Sequence, residues 1–307
     1  MIPTFNQATY IREAIYSALA QTYPDFEVIV GDDASTDATR EIVSNISDPR
    51  LKYVRNTRNL GRTANYRHLL YNHSTGDYVA NLDGDDYYTD TEFISEAVNC
   101  LSREKDVVMV VAKATRKSPD GEWVSRIPRL HACSGLHVLS RLPRREYLVM
   151  HMAILYSRRH AIDASFYRSD AISSDWESLY RLSLRGNVAF LDRTVGVWRI
   201  HAKNESATSD PVKEMDNLAI WRSIYTDAVK FGMNSIWARY FCARCIAYFA
   251  QSSCVKVSMN GNALLAKFAL GVFRKYWFPS LLIMLTPSYA ARLLLSLAGY
   301  YRRRRVS

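Results

Sequence analysis

From Lys230 to its end this chain has no acidic residue, although 30 Asp and Glu precede that point. Twelve Lys and Arg fall in the acid-free stretch, so the formal charge of +10 belongs to the C-terminal region alone. That asymmetry excludes a uniformly basic protein and points to one surface facing a polyanion, either membrane or nucleic acid. Cysteine is scarce and odd in number: Cys100, Cys133, Cys242, Cys245 and Cys254. They show no paired disulfide framework, and reduced cytosolic thiols are expected. Cys242 and Cys245 form a C-x-x-C, but no second Cys/His pair lies at zinc spacing and the surroundings read as helix. Buried thiols are the expectation there. The first residues do not read as a secretion leader, so none is expected. No apolar run reaches the ~20 uninterrupted residues of a membrane span, because Pro287 and Arg292 cut the last Leu-rich section. Repeats and low-complexity tracts are missing too. What remains, 48% hydrophobic and 23% charged, is a folded chain with room for one large domain and an appendage.

The most informative stretch is Tyr78-Val79-Ala80-Asn81-Leu82-Asp83-Gly84-Asp85-Asp86. A mostly apolar run ends in three carboxylates within four positions. A strand that stops there delivers acidic side chains to one edge of a sheet. Carboxylate oxygens are hard ligands that suit Mg²⁺ or Mn²⁺, and unpaired they would repel one another. A solvated acidic turn is the plain alternative for an isolated D-x-D-D.

Its neighbours carry a regular pattern. Residues 9–20 place Tyr10, Ile11, Ala14, Ile15, Ala18 and Leu19 on one helical face. Phe26 to Val30 reads as a strand ending at Gly31-Asp32-Asp33. Ser35 or Thr36 can cap a helix over 37–47. Leu51 to Val54 is a short strand. Asn59-Leu60-Gly61 turns into a helix over 62–73, and a strand follows over 77–82. The same alternation continues with a helix at 91–103 and a strand at 107–111. Loops and irregular strands are expected over 114–145. A helix begins at Ser173-Ser174-Asp175-Trp176-Glu177, and two strands cover 188–191 and 195–200. Strand and helix in this alternation predict an α/β fold with a mainly parallel sheet flanked by helices. Ligands of such sheets bind at the carboxyl ends of the strands. Three strand ends carry polar clusters: Pro3-Thr4, Asp32-Asp33, and Asp83 to Asp86. Beyond Asp210 the texture changes to aromatic-rich helices.

On these elements the chain resembles family-2 glycosyltransferases of the GT-A fold. The matching segments are Ile2-Pro3-Thr4-Phe5-Asn6, Gly31-Asp32-Asp33-Ala34-Ser35-Thr36-Asp37, Asn59-Leu60-Gly61, Asp83-Gly84-Asp85-Asp86, Ser174-Asp175-Trp176-Glu177 and Trp198-Arg199-Ile200-His201. The resemblance covers residues 1 to about 206. It implies a GT-A catalytic domain over 1–209 and inverting transfer of a sugar from a nucleotide-diphosphate donor, a UDP-sugar, to an acceptor hydroxyl. Pro3, Thr4 and Phe5 would line the nucleoside pocket. Asp33 would contact the base with Asp32 in support, and Arg62 would approach the base or phosphates. Asp83, with Gly84 beside it, would meet the ribose or the metal. Asp85, Asp86 and His201 would hold Mn²⁺ or Mg²⁺ against the diphosphate. Asp175 matches the second acid of the family's Glu-Asp pair and would be the general base, with Glu177 as substitute. The first acid of that pair is replaced by Ser174.

Plainer readings stand beside these. Asp32-Asp33 can be a turn with a helix cap, and Asp175 an N-cap. His201 can be a loop histidine, Arg62 a surface charge at a helix start, and Arg199 the partner of a core carboxylate. A nucleotidyltransferase would need a basic phosphate-gripping loop near Thr4, and none is there. An inactive scaffold relative is kept open by Ser174. Only Met1 and Ile2 precede Pro3, where relatives carry several apolar residues. A shortened or weakly paired first strand is expected, with a misassigned start codon as one reading of it.

Residues 210–307 read as a helical, basic, membrane-associating region. Trp277 to Leu285 and Ala290 to Ala298 are short apolar runs flanked by Arg, Trp and Tyr, ending in Arg302 to Arg305. Two interfacial helices on an anionic membrane surface fit better than a span or a nucleic-acid partner. The implied place is cytoplasmic, peripheral on the inner face of the cell membrane, beside a sugar or lipid-linked acceptor in surface polysaccharide or glycolipid assembly.

Overall fold

The computed structural model describes residues 1–104, 106–129, 131–144, 149–201, 204, 210–258, 264–265, 267–272 and 274–276. They fall into two compact units. The first is built from Met1–Arg141, Arg145–Asp170 and Ser174–His201. The second takes the chain from Ala202 onward, with Leu142–Arg144 and Ala171–Ser173.

The first unit opens with β1 (Ile2–Thr4), α1 (Ile11–Leu19), β2 (Val28–Asp32), α2 (Thr39–Ser44) and β3 (Leu51–Arg55). The three strands are parallel in the order β1-β2-β3. Helix α1 buries Ile11, Ala14, Ile15, Ala18 and Leu19, the face its apolar spacing selects. Strand β2 alternates as a sheet covered on both sides must. Val28 and Val30 join the cluster around α1, while Gly31 faces the other way. A Cβ on Gly31 would lie 2.6 Å from a methyl of Leu69, so only glycine lets that leucine approach.

The first strand is short, as expected, but it is paired on both edges. On one side Ile2, Pro3 and Thr4 face Val30, Gly31 and Asp32. On the other, Met1 N donates to Ala80 O (2.8 Å), Leu82 N to Met1 O (3.0 Å) and Gly84 N to Pro3 O (3.2 Å). That is the rhythm of a parallel ladder. The missing rung is the one an N–H at residue 3 would donate, and proline has none. The expectation of weak pairing therefore fails, because β1 lies between two partners that share its backbone bonds.

Then come α3 (Arg62–His68), which runs on as a π turn over Leu69–His73, β4 (Tyr78–Ala80), β5 (Tyr87–Tyr88) and α4 (Phe93–Arg103). Next are β6 (Val107–Ser118), β7 (Gly121–Val124), β8 (Ala132–Ser134), α5 (Gly135–Arg141), β9 (Ile154–Ser157), α6 (Arg158–Asp163), α7 (Ser174–Ser183) and β10 (Asn187–Arg199). The strand order is β4-β9-β6-β10-β5, with β7 on β6 and β8 on β10. Strands β6 and β10 are parallel, whereas β9 runs against both its neighbours. Where two strands are expected over 188–200, β10 is one strand with register shifts near Leu191 and Thr194. Within 114–145, expected as loops and irregular strands, residues 115–118 extend β6 and pair with β7. One apolar layer joins α1, α2 and α4 to the sheet through Val43, Phe93, Ala97, Val107, Val110, Leu155 and Ala189. Each large aliphatic or aromatic side chain buried there contributes roughly 1.5–3 kcal/mol.

The second unit contains α8 (Pro211–Asn217), α9 (Ala219–Lys230) and α10 (Ser235–Ser258). Asp210 caps α8, its carboxylate accepting from Val212 N at 2.8 Å, with Pro211 at the first helical position. Trp221 stacks on Phe249 at 4.8 Å. Buried Glu214 accepts from Ser253 Oγ (2.5 Å) and Lys256 Nζ (2.8 Å). Cys242 and Cys245 lie on α10, and burial pushes the Cys242 thiol up to about 12. Among the described residues no helix is long and apolar enough to cross a membrane. The tail over 277–307, with its expected interfacial helices, lies outside the described residues.

Candidate active site

The strand register brings the three polar strand ends together. Thr4 stands opposite Asp32, Asp32 opposite Arg55, and Gly84 N bonds Pro3 O. The loops after β1 and β2 are clasped. Asn6 N donates to Ser35 Oγ (2.9 Å), and Asn6 Oδ1 accepts from Thr36 N (2.8 Å). Asn6 and Ala34 both take positive φ, 54° and 62°, to make these turns. Pro3 and Thr4 are buried, while Phe5 is exposed at the rim. Thr4 Oγ1 donates to Gln7 Oε1 (2.8 Å). A Cβ on Gly84 would lie 2.4 Å from that Gln7 oxygen and 2.9 Å from Thr4 Oγ1, so the acidic loop packs directly on β1.

Asp32 and Asp33 are held by the protein itself. Asp32 accepts from Ser35 N (2.8 Å), Tyr53 Oη (2.6 Å) and Arg55 Nη1 (2.7 Å). Burial alone would raise its pKa, but the Ser35 and Tyr53 hydrogen bonds and the Arg55 charge outweigh it and hold the carboxyl below the usual range. Asp33 accepts from Asn56 Nδ2 and Leu60 N (both 2.8 Å) and Gly61 N (2.9 Å). That carboxylate ties the Asn59-Leu60-Gly61 loop, and so the start of α3, to the end of β2.

The Asp83, Asp85 and Asp86 carboxylates each offer an oxygen within 4.8 Å of the others. Burial, then the Asp85 charge, raises the Asp83 pKa. Burial followed by Asp85 and Asp83 raises that of Asp86 well above the usual carboxylate value. Tyr66 Oη donates to Asp83. Asp86 Oδ1 accepts from Arg199 N (2.9 Å), and His201 Nε2 lies 2.8 Å from Asp85 Oδ2. Arg199 further donates to Asp85 O (2.8 Å) and Glu13 (2.5 Å) and covers the Tyr87 ring at 4.2 Å. His201 stacks on Tyr10, centroids 5.2 Å apart. An oxygen-rich, crowded, partly desolvated donor set of this kind fits a hard divalent cation.

Arg62, at the start of α3, is the positive charge that acts on both Asp83 and Asp175. Asp175 lies in the first turn of α7, half-buried, and burial raises its pKa against the opposing pull of Arg62. Ser174 is buried, its hydroxyl 3.1 Å from Thr63 Oγ1. Glu177 is taken out of the substitute-base reading, because it is buried and pairs with Arg168 (3.0 Å) and Arg181 (3.5 Å). Three residues near Asp83 escaped the sequence reading. Tyr66 stacks on Tyr167 (5.0 Å) and packs on His151 (5.0 Å). Burial pushes the His151 imidazole down to about 4. Tyr66 is legible afterwards, four residues from Arg62 on one helix face. His151 opens a single 3₁₀ turn (His151–Ala153) and Tyr167 lies in a turn, so neither carries a periodic signal.

A family model described as glycosyl transferase family 2 matches residues 1–164, more than half of the chain. The chain belongs to glycosyl transferase family 2. Among curated relatives, an uncharacterized Mycobacterium tuberculosis protein is 32% identical over 232 residues, which cover 74% of this chain and 61% of that one. This chain thus spans about three fifths of the length of that curated relative. WfaP of Escherichia coli, named as a UDP-Glc:alpha-D-GlcNAc-diphosphoundecaprenol beta-1,3-glucosyltransferase, is 36% identical over 105 residues, 34% of this chain and 41% of WfaP. Among solved structures, Staphylococcus aureus TarS 1-349 in complex with UDP-GlcNAc superposes with a TM-score of 0.65 at 18% identity. The match covers 91% of this chain and 89% of the TarS chain. At that identity the likeness is one of fold, the GT-A α/β fold.

Proposed function

We propose that this family-2 protein is an inverting glycosyltransferase that moves a sugar from a UDP-sugar to an acceptor hydroxyl. The carrying observation is that the ends of β1 and β2 meet the acidic loop after β4, where carboxylate oxygens of Asp83, Asp85 and Asp86 lie within 4.8 Å of one another and Arg62 acts on both Asp83 and Asp175. In this reading Pro3, Thr4 and Phe5 line the nucleoside pocket, Asp33 faces the base, and Asp32 fixes the loop that presents it. Asp83 and Gly84 lie against the ribose. Asp85, Asp86 and His201 hold Mn²⁺ or Mg²⁺, with Asp83 adjoining. A cation bound there neutralises charge on the departing diphosphate. Arg62 adds a fixed positive charge on the same side. Asp175 takes the proton from the acceptor hydroxyl, and its burial-raised pKa makes it a stronger base than an exposed aspartate.

The name of WfaP supports a lipid-linked acceptor and a place in surface polysaccharide or glycolipid assembly. The acid-free C-terminal region supports a cytoplasmic position, peripheral on an anionic inner membrane face. A second reading, an inactive scaffold, draws on Ser174, which stands where the family resemblance implies the first acid of the Glu-Asp pair and whose hydroxyl lies 3.1 Å from Thr63 Oγ1.

Thermal shifts with UDP, GDP, CDP and dTDP, each with Mn²⁺, Mg²⁺ or EDTA, test the donor site on wild type and Asp85→Ala. Stabilisation by UDP that needs metal and vanishes in Asp85→Ala is expected; no response to any nucleotide overturns the reading. Asp175→Asn is expected to lower turnover about 10²–10⁴-fold while leaving the UDP shift intact. Unchanged turnover would remove Asp175 as the base.

A further inference from the structure

The turn between α9 and α10 carries an exposed apolar cluster in the second unit. Val229, Phe231, Ile236, Trp237 and Tyr240 all face solvent, Ile236 by 74% and Trp237 by 56%. The turn that gathers them is tightly built. Gly232 takes φ +98°, Met233 N donates to Ala228 O (2.9 Å), and Asn234 Oδ1 caps α10 by accepting from Ile236 N (2.9 Å). The aromatic members are locked side by side: Trp237 stacks on Phe241 at 5.8 Å and meets Tyr240 at 5.8 Å. Arg244 lies 5.7 Å over the Tyr240 ring and donates to its hydroxyl (3.2 Å). Lys230 and Arg239 are exposed beside the cluster. Asp227 is the last acid of the chain, and it pairs with Lys230 at 2.8 Å.

We propose that this tip docks into the headgroup region of an anionic phospholipid bilayer. Ile236 and Phe231 supply apolar area that enters the acyl boundary. Trp237 and Tyr240 are the side chains that favour the interface. Lys230, Arg239 and Arg244 meet anionic headgroups, and no Asp or Glu follows Asp227 in the chain. The same charges disfavour a second copy as the occupant, because two basic tips repel. The proposal rests on the reading that the protein works at a membrane surface. It names a contact made by residues 229–241.

The test uses the full chain with phosphatidylglycerol-containing and pure phosphatidylcholine vesicles, followed by cosedimentation and hydrogen–deuterium exchange. The expected result is binding to the anionic vesicles with slowed exchange over residues 229–241. In Ile236→Glu/Trp237→Glu, partitioning is expected to fall about tenfold or more, while Trp237→Phe retains it. The metal-dependent UDP shift should be unchanged in both variants, which separates this outcome from failure of the donor site. Wild type that binds vesicles without slowed exchange over 229–241, or a Glu variant that binds equally well, overturns the tip and leaves the membrane reading standing. Wild type that binds neither vesicle overturns both. A lipid-independent dimer that Trp237→Glu dissolves assigns the cluster to self-association and also overturns the tip.

Discussion

Two groups of aspartates occupy one edge of the sheet, and they differ in who neutralises them. Asp32 and Asp33 are met by protein donors: Ser35, Tyr53 and Arg55 on one, Asn56, Leu60 and Gly61 on the other. Asp83, Asp85 and Asp86 are packed against one another, with burial and mutual repulsion raising the pKa of Asp83 and Asp86. The first group has the electrostatics of a brace, and the second has the crowded, charge-raised carboxyls that the proposed cation would relieve. Identical side chains thus acquire opposite electrostatics through their surroundings.

The largest effect that would break this contrast is on activity. Asp83→Asn should lower turnover about 10³-fold, the scale of losing several kcal/mol of charge stabilisation. The metal-free protein should melt at the same temperature or higher, since one repelling charge is gone. Retained activity, or a fold that collapses, would mean that the triad is itself a brace. Next comes the brace. Asp32→Ala should cost roughly 2–4 kcal/mol in urea unfolding, because it strands the Tyr53 hydroxyl and the Arg55 guanidinium. A loss far below that would show Asp32 to be dispensable for the fold.

The smallest effect sharpens the contrast through pH. Asp32 has a depressed pKa, so its contribution is present above the ordinary carboxylate value and lost as pH falls through the folded one. Asp83 and Asp86 have raised values, so their contribution is present at low pH and lost as pH rises through the folded values. In EDTA, melting temperature should therefore fall as pH rises through that upper window, and Mn²⁺ should flatten the fall. Asp83→Asn should show a shallower fall without metal. Identical pH curves with and without metal would count against a cation at the triad.

Much of this was legible in the chain. The apolar spacing of Ile11, Ala14, Ile15, Ala18 and Leu19 marks α1, and the carboxylates past Leu82 mark the acidic edge. Other features were not. The pairing of β1 depends on backbone bonds to Ala80, Leu82 and Gly84, nearly 80 positions away, which no local pattern encodes. Glu177 looked interchangeable with Asp175, yet helix geometry turns it toward Arg168 and Arg181. His151 and Tyr167 reach the site from a single 3₁₀ turn and a turn, where no period of 2 or 3.6 flags a residue.

The sequence by itself determined the class of fold, the family and the three polar strand ends, because periodicity and strand-end chemistry are local properties. It also determined the division into an acid-bearing and an acid-free region. Only the tertiary structure decided which aspartates are ringed by protein donors and which are packed against one another. Hydrogen bonding and desolvation depend on what stands across the gap, and Tyr53, Arg55, Leu60 and Gly61 reach the end of β2 only after the chain has folded.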